Sequence, residues 1–244
     1  MRLITYLQSL ATDYSPRVHA NGFIQIDITP VVRLHVWGDV RIPRQVVATP
    51  IHNHAFGFTS RVLAGTLNHR TYRVEPSVAS GQHLYRPHVA RVRHGEDTIL
   101  LPTGSVVTIV AEASQYIAPG ESADAVYSME PGEFHKTVPL GSAVSVIVKR
   151  GRTLSQGGSS PTVLVPVDVT PSNEFDRHAA LRFGEMWDIV ADVFAIDVAS
   201  VATGIAWALQ QESGSYRRIL DVIAHMSPGI AEGDAADEAR KAIG

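Results

Sequence analysis

The sequence predicts a mainly β protein, an antiparallel sandwich or barrel, followed by a small helical C-terminal region. Three observations carry that expectation. From Phe23 to about Arg150 the chain is a run of short segments rich in β-branched residues, broken at close intervals by Gly and Pro. After a Gly/Ser-rich stretch at 151–161, the apolar residues recur instead at three- and four-residue steps. The length of 244 residues, with 45% hydrophobic and 18% charged residues, is enough for a sizeable core in one or two domains. The expected organisation is a β-barrel with a short N-terminal helix over 1–150, a linker with a possible extra strand over 151–170, and helices over 171–244.

In order, Met1–Leu10 carries periodic apolar residues and a single positive charge, which reads as a short amphipathic helix rather than a signal peptide. Strands are expected at Phe23–Ile28, Val31–Trp37, Gln45–Ile51, Phe58–Leu63, Thr66–Val74, Thr98–Leu101, Val106–Ala111, Ala125–Met129, Phe134–Val138 and Ala143–Lys149. Pro102-Thr103-Gly104 and Ala118-Pro119-Gly120 supply turns, because Pro fixes φ and Gly accepts positive φ. Thr162–Val169 offers one last extended segment. Asn173 with Asp176 can cap a helix carrying Phe183, Met186, Trp187, Val190, Val193 and Phe194 on one face, a stripe that reads as core. Asp197 can cap a second helix through Ile205, Ala208 and Leu209, and a third begins near Tyr216. These helices suit a compact bundle, a cap over the β part or an oligomer contact.

Composition narrows the function classes. A net charge of −3 and a pI near 6.4 give no polyanion-binding surface, and the cluster Arg86, Arg91, Arg93 and His94 reads as a solvated basic hairpin. With no cysteine, disulfides and thiolate metal sites are impossible. No apolar run reaches the ~20 residues that span a bilayer, so cytoplasmic residence is the default expectation.

Nine of the eleven histidines lie before residue 136. His52 and His54, one residue apart, share a face of an extended segment, and neutral imidazole is the commonest ligand for Zn, Fe, Cu and Ni. His135 follows the turn Pro131-Gly132 and can complete a three-nitrogen site. His19, His83, His88, His94, His178 and His225 read as surface or hydrogen-bonded residues, while His35 and His69, inside expected strands, stay undecided.

His52-x-His54, Gly65 beyond it, and His135 after Pro131-Gly132 together resemble the two-part metal signature of cupins, small jelly-roll β-barrels that hold a metal on strand histidines. The glutamate usual in the first motif is replaced here by Phe58 and Thr59, which resembles the three-histidine branch of cysteine dioxygenase-type thiol dioxygenases. Val36-Trp37-Gly38, Val62-Leu63-Ala64-Gly65 and His135-Lys136 followed by Ala143-Val144-Ser145 are similar to further elements of that branch. The resemblance spans roughly residues 31–150. It implies a mononuclear non-haem iron dioxygenase acting on a small thiol or other chelating molecule, and a homodimer. Fe(II) is the ion implied, and Zn(II) or another divalent transition metal is compatible with the same ligands. A non-catalytic cupin module, with a structural metal or none, is the alternative.

For substrate recognition a carboxylate calls for a bidentate arginine, and Arg33, Arg61 and Arg73 lie in expected strands. Alternation places Arg33 on one side with His35 and Trp37. Tyr127, just ahead of the third ligand, and Tyr116 are candidates to offer a hydroxyl to bound oxygen. Phe56 and Phe58 serve equally as an apolar wall beside the metal or as barrel core. The cysteine–tyrosine cross-link of some thiol dioxygenases is absent, and Glu133 stands where a related relay has serine.

Overall fold

The structure is a computed structural model and describes residues 7, 16–43, 51–76, 83–93, 97–120, 125–150, 161–171, 181–195 and 198–211. Among these the chain forms β1 (Arg17–His19), β2 (Phe23–Asp27), β3 (Val32–Trp37), β4 (Gly57–Ala64), β5 (Leu67–Pro76) and β6 (Tyr85–Arg93). It continues with β7 (Asp97–Pro102), β8 (Val107–Ile117), β9 (Val126–Met129), β10 (Phe134–Pro139), β11 (Ala143–Arg150) and β12 (Thr162–Pro166). Two helices follow, α1 (Phe183–Phe194) and α2 (Val198–Gln211). The strands pair antiparallel in two sheets, β1-β2-β3-β11-β4-β9 and β10-β5-β8-β6-β12, with β7 added to β6. This is the mainly β, cupin-like sandwich with C-terminal helices that the sequence predicts.

The two-residue repeat of the strands sorts side chains into two cores. Val32, Leu34 and Val36 on β3 and Val144, Val146 and Val148 on β11 join Met186, Trp187, Val190, Ile205 and Leu209 of the helices. The alternate residues of the same sheet, including Phe23, Trp37, Phe58, Tyr127 and Ile147, face the other way and pack with Leu67 and Ile117 of the second sheet. The first sheet is therefore buried on both faces, and of the three arrangements open to α1 and α2 they form a cap on its outer face. The Trp187 stripe is core from Met186 to Phe194, as its spacing implies, whereas Phe183 in the first turn is 53% exposed.

Local chemistry sets the element ends. α1 begins at Phe183, where the Arg182 N–H donates to the Glu185 carboxylate at 2.8 Å. Gly65 turns β4 into β5 with φ +70°, and a Cβ there would run into the Ser142 carbonyl and Ala143 at the start of β11. β1 and β6 add to the expected strands, and β8 runs on to Ile117, six residues past the expected Ala111. The expected caps Asn173, Asp176 and Asp197, the helix near Tyr216 and most of the N-terminal helix lie outside the described residues; Leu7 is helical and buried in the helix-side core. Among the described residues no single helix is long and apolar enough to cross a membrane.

Candidate metal centre

The segment expected as a strand over Gln45–Ile51 is described only from Ile51 onward, and it forms single bridges rather than a strand. It runs between the two edge strands of the second sheet. The His52 N–H donates to the His135 carbonyl at 3.0 Å, and the His135 N–H to the His52 carbonyl at 2.9 Å. On the other side the Asn53 N–H donates to the Thr162 carbonyl and the Leu164 N–H to the Ile51 carbonyl, both at 3.0 Å. Residues that exchange both backbone bonds in an antiparallel pair send their side chains to one face. His54, two residues along, joins them there.

Asn53, between the two histidines, fixes the segment further. Its Nδ2 donates to the Gly132 carbonyl at 3.3 Å, and its Oδ1 accepts from the Thr162 N–H at 2.7 Å. The Gly132 N–H, in the Pro131-Gly132 turn at φ +87°, donates to the His54 carbonyl at 2.9 Å. The turn that delivers His135 is thus tied directly to the segment that delivers its partners.

One ligand atom from each of His52, His54 and His135 lies within 4.8 Å of the others. Ring centroids are 4.9 Å apart for His52 and His54, 4.5 Å for His52 and His135, and 5.1 Å for His54 and His135. A loaded site with ~2.1 Å bonds needs ligand atoms roughly 3–3.5 Å apart, so small side-chain rotations close the set. Burial pushes the pKa of His54 and of His135 well below the usual imidazole range, assisted by the neighbouring rings and, for His54, by Arg33 and Lys149. Both are neutral at pH 7 and keep a lone pair for a metal. His135 is 4% exposed, and the Glu133 backbone carbonyl weakly opposes its shift. The Glu133 carboxylate points elsewhere, accepting from the Glu130 N–H at 2.7 Å in the turn. Asn21 reaches His52 Nδ1 at 3.5 Å, the kind of outer contact that orients a ligand imidazole. The residues present fit a mononuclear three-nitrogen centre.

The three rings line a cavity of about 270 Å³ between the sheets, walled by Phe23, Trp37, Phe56, Phe58 and Ile147. That is near the lower end of small-molecule sites, roughly 300–1,000 Å³. Phe58 is core and wall at once, packing with Tyr127 while its ring meets His54 at 5.3 Å.

The other candidates divide. Arg33 turns into the cavity, its Nε 2.7 Å from Asp27. Tyr127 lines it too, and burial raises its pKa against the opposing hydroxyls of Ser60 and Thr137, so the phenol stays protonated. Arg61 is a correction: alternation turns it to the opposite face of β4, where its guanidinium sits 5.5 Å over the Trp207 ring of α2 and away from the cavity. Arg73 pairs with Glu75 and Glu112 on the exposed side of β5, and Tyr116 is exposed on β8.

Several residues that the sequence leaves undecided or gives no role lie at or beside the site. His19 is hydrogen-bonded as expected, accepting from the Asn21 N–H at 3.2 Å, and it also stacks on Phe23 at 4.3 Å and lies 6.4 Å from His52. His35 lines the cavity, its pKa pushed down to about 3 by burial and then by Arg33. His69 sits behind His135 at 5.5 Å, hydrogen-bonded to Thr137, and burial takes its pKa down to about 4. Gln25 lines the cavity from β2 and Asp27 pairs with the lining residues Arg17 and Arg33; Phe23-x-Gln25-x-Asp27 is the one signal that could have found them.

No family model and no curated protein matches the sequence. Among solved structures, the chain is similar to hydroquinone 1,2-dioxygenase from Sphingomonas sp. TTNP3 with 4-hydroxybenzoate bound, at 6% identity and a TM-score of 0.27, over 50% of this chain and 60% of that one. It is also similar to hydroxypropylphosphonic acid epoxidase from S. wedmorenis, at 13% identity and a TM-score of 0.27, over 57% of this chain and 56% of that one. A second hydroquinone 1,2-dioxygenase, in complex with Cd2+ and 4-hydroxybenzonitrile, matches at 14% identity and a TM-score of 0.23, over 50% and 60%. The chain spans three-fifths or less of the length of these structures. Likenesses this slight leave the chemistry to be read from the site itself.

Proposed function

We propose that this chain is a mononuclear metal-dependent oxygenase of the cupin type, holding Fe(II) on His52, His54 and His135 and acting on a small thiol or other chelating small molecule. The observation that carries the reading is the convergence of three imidazoles, two of them held neutral by burial, on the wall of a closed-in cavity. Zn(II) or another divalent transition metal suits the same donor set. When bound, Fe(II) on three neutral ligands retains its full positive charge and supplies the oxygen chemistry at the positions the protein leaves open.

The chain's own residues do the rest. Phe23, Trp37, Phe56 and Phe58 exclude water and confine the substrate. Arg33 contributes positive charge beside the Phe56 ring and favours an anionic substrate. Tyr127 Oη, protonated because it is buried, is the candidate to give a proton to a substrate oxygen.

One observation favours a second reading, a non-catalytic cupin module. The ligand segment bridges both edge strands of the second sheet, so an ion there would also staple the barrel. Oxygen uptake separates the two. Protein purified anaerobically without a His-tag, then loaded with Fe(II) or Zn(II), is assayed against a panel of small thiols and bidentate chelators. Substrate-dependent oxygen consumption restored by Fe(II) and not by Zn(II) supports the oxygenase. Bound metal with no uptake across the panel overturns it in favour of the staple.

A further inference from the structure

The cavity holds a second group of polar side chains, on β1, β2 and β3, that metal binding does not use. Asp27 accepts from Arg17 at 2.6 Å and from Gln25 Nε2 at 3.0 Å, and lies 2.7 Å from Arg33 Nε. Two guanidiniums facing one carboxylate leave this unit one positive charge in excess. Lys149 adds another, since its Nζ and the Arg33 guanidinium both lie over the Phe56 ring, at 5.5 and 5.9 Å from its centre.

His35 lies on the same face of β3, two residues past Arg33. It is 7% exposed, yet among the described residues neither of its buried ring nitrogens has a hydrogen-bond partner. A buried polar group left unsatisfied is costly, so a cavity-lining imidazole in this state is open to a hydrogen-bonding group from outside. Phe23 and Trp37 flank the ring at 4.4 and 5.6 Å, and the polar residues across the ladder are engaged with others: Gln25 Nε2 donates to Asp27 at 3.0 Å and Ser145 Oγ accepts the Trp37 indole N–H at 3.1 Å.

The aromatic walls connect this group to the three histidines. Phe56 separates Arg33 from His54, its ring 5.1 Å from that of His54. His19 and Phe23 stand between His35 and His52. A ligand reaching both ends must be flat or slender, apolar in the middle and anionic at one end.

We infer that the cavity binds a small carboxylate with a planar apolar body, its carboxylate held by His35 and Arg33 and its body between Phe23, Trp37 and Phe56. A carboxylate matches both the single excess charge of the Arg17–Asp27–Arg33 unit and the planar guanidinium fork. As the substrate class of the oxygenase, the inference rests on the proposed function; as a binding subsite it does not.

Calorimetric titration with benzoate and its neutral isostere benzamide tests it, on metal-free and on Zn(II)-loaded protein. Both forms should prefer benzoate by at least about tenfold, the size of one charge-assisted hydrogen bond. Arg33→Gln and His35→Phe should each cut the preference to about threefold or less, while Arg61→Gln keeps it. His35→Phe can disturb the β3 core, so Arg33→Gln, which leaves Asp27 paired to Arg17, decides if the former does not fold. Equal affinity for the two probes, or a preference that survives Arg33→Gln, overturns the subsite and assigns His35 to solvent. Preference for benzoate in protein that binds no metal sustains the subsite while the oxygenase reading fails.

Discussion

His52 and His135 exchange both of their backbone hydrogen bonds, at 3.0 and 2.9 Å, although they lie far apart in the chain. Two candidate ligand imidazoles are therefore aligned by the sheet's own ladder, and the third follows from the two-residue repeat. The site is set by backbone pairing before any side chain chooses a rotamer, and variants that disturb this pairing should act on metal affinity first.

Asn53 is the clearest such position. Asn53→Ala removes both the tie to the Gly132 carbonyl and the Oδ1 that accepts from the Thr162 N–H. Metal affinity, read by competition with a chromophoric chelator, should fall about 10–100-fold. Thermal unfolding of the metal-free form should show a loss of about 1–3 kcal/mol.

The metal-free protein should be acid-sensitive over a defined window. His35, His54, His69 and His135 all have folded pKa values depressed by burial, to about 3 for His35 and about 4 for His69. The unfolded chain takes up these protons near pH 6.5 and the folded chain does not. Stability is full above that pH and declines as pH falls, each group adding a slope of about 1.4 kcal/mol per unit. Asp27 acts lower: burial would raise its pKa, but Arg33 and Arg17 outweigh burial and lower it, so its contribution is lost only as pH drops through that depressed value. Urea midpoints at pH 7, 6, 5 and 4 should decrease steadily, and a flat series would show that these imidazoles are not desolvated.

Gly65→Ala should be severely destabilising, by about 2 kcal/mol or more, because the residue needs positive φ and its Cβ would meet backbone rather than a movable side chain. Denaturant unfolding measures it. A neutral result would mean that the β4–β5 turn does not pack against Ser142 and Ala143.

Arg61→Ala should lose no more than about 1 kcal/mol, the worth of a partly exposed cation–π contact with Trp207. Metal and benzoate affinities should be unchanged.

Much of this architecture is legible in the sequence, and the exceptions have physical causes. Strands such as β3 and β11 announce themselves because both faces are largely buried and β-branched residues recur in them, Val32 and Val36 on β3 and Val144, Val146, Ile147 and Val148 on β11. The second half of β8, Glu112 to Tyr116, is exposed on both faces and held by its ladder with β5, so no hydrophobic pattern marks it. β1 has only three residues. The His52–His54 pair is visible as an i, i+2 spacing, whereas its pairing with His135 is a non-local property of the sheet. Arg33 and Arg61 look alike as strand arginines; only the register of β3 and β4 against the helices sends one into the cavity and the other to Trp207. His35 was ambiguous because a buried histidine and a ligand-facing one carry the same sequence signature.

The central claim, a single ion shared by three histidines, is tested most directly by elemental analysis of tag-free protein purified anaerobically, beside its His135→Ala variant. The account predicts about one transition-metal ion per chain in the wild type and almost none in a folded variant. Wild-type protein that holds no stoichiometric metal even after incubation with Fe(II) or Zn(II), or a variant that keeps its ion, would contradict it.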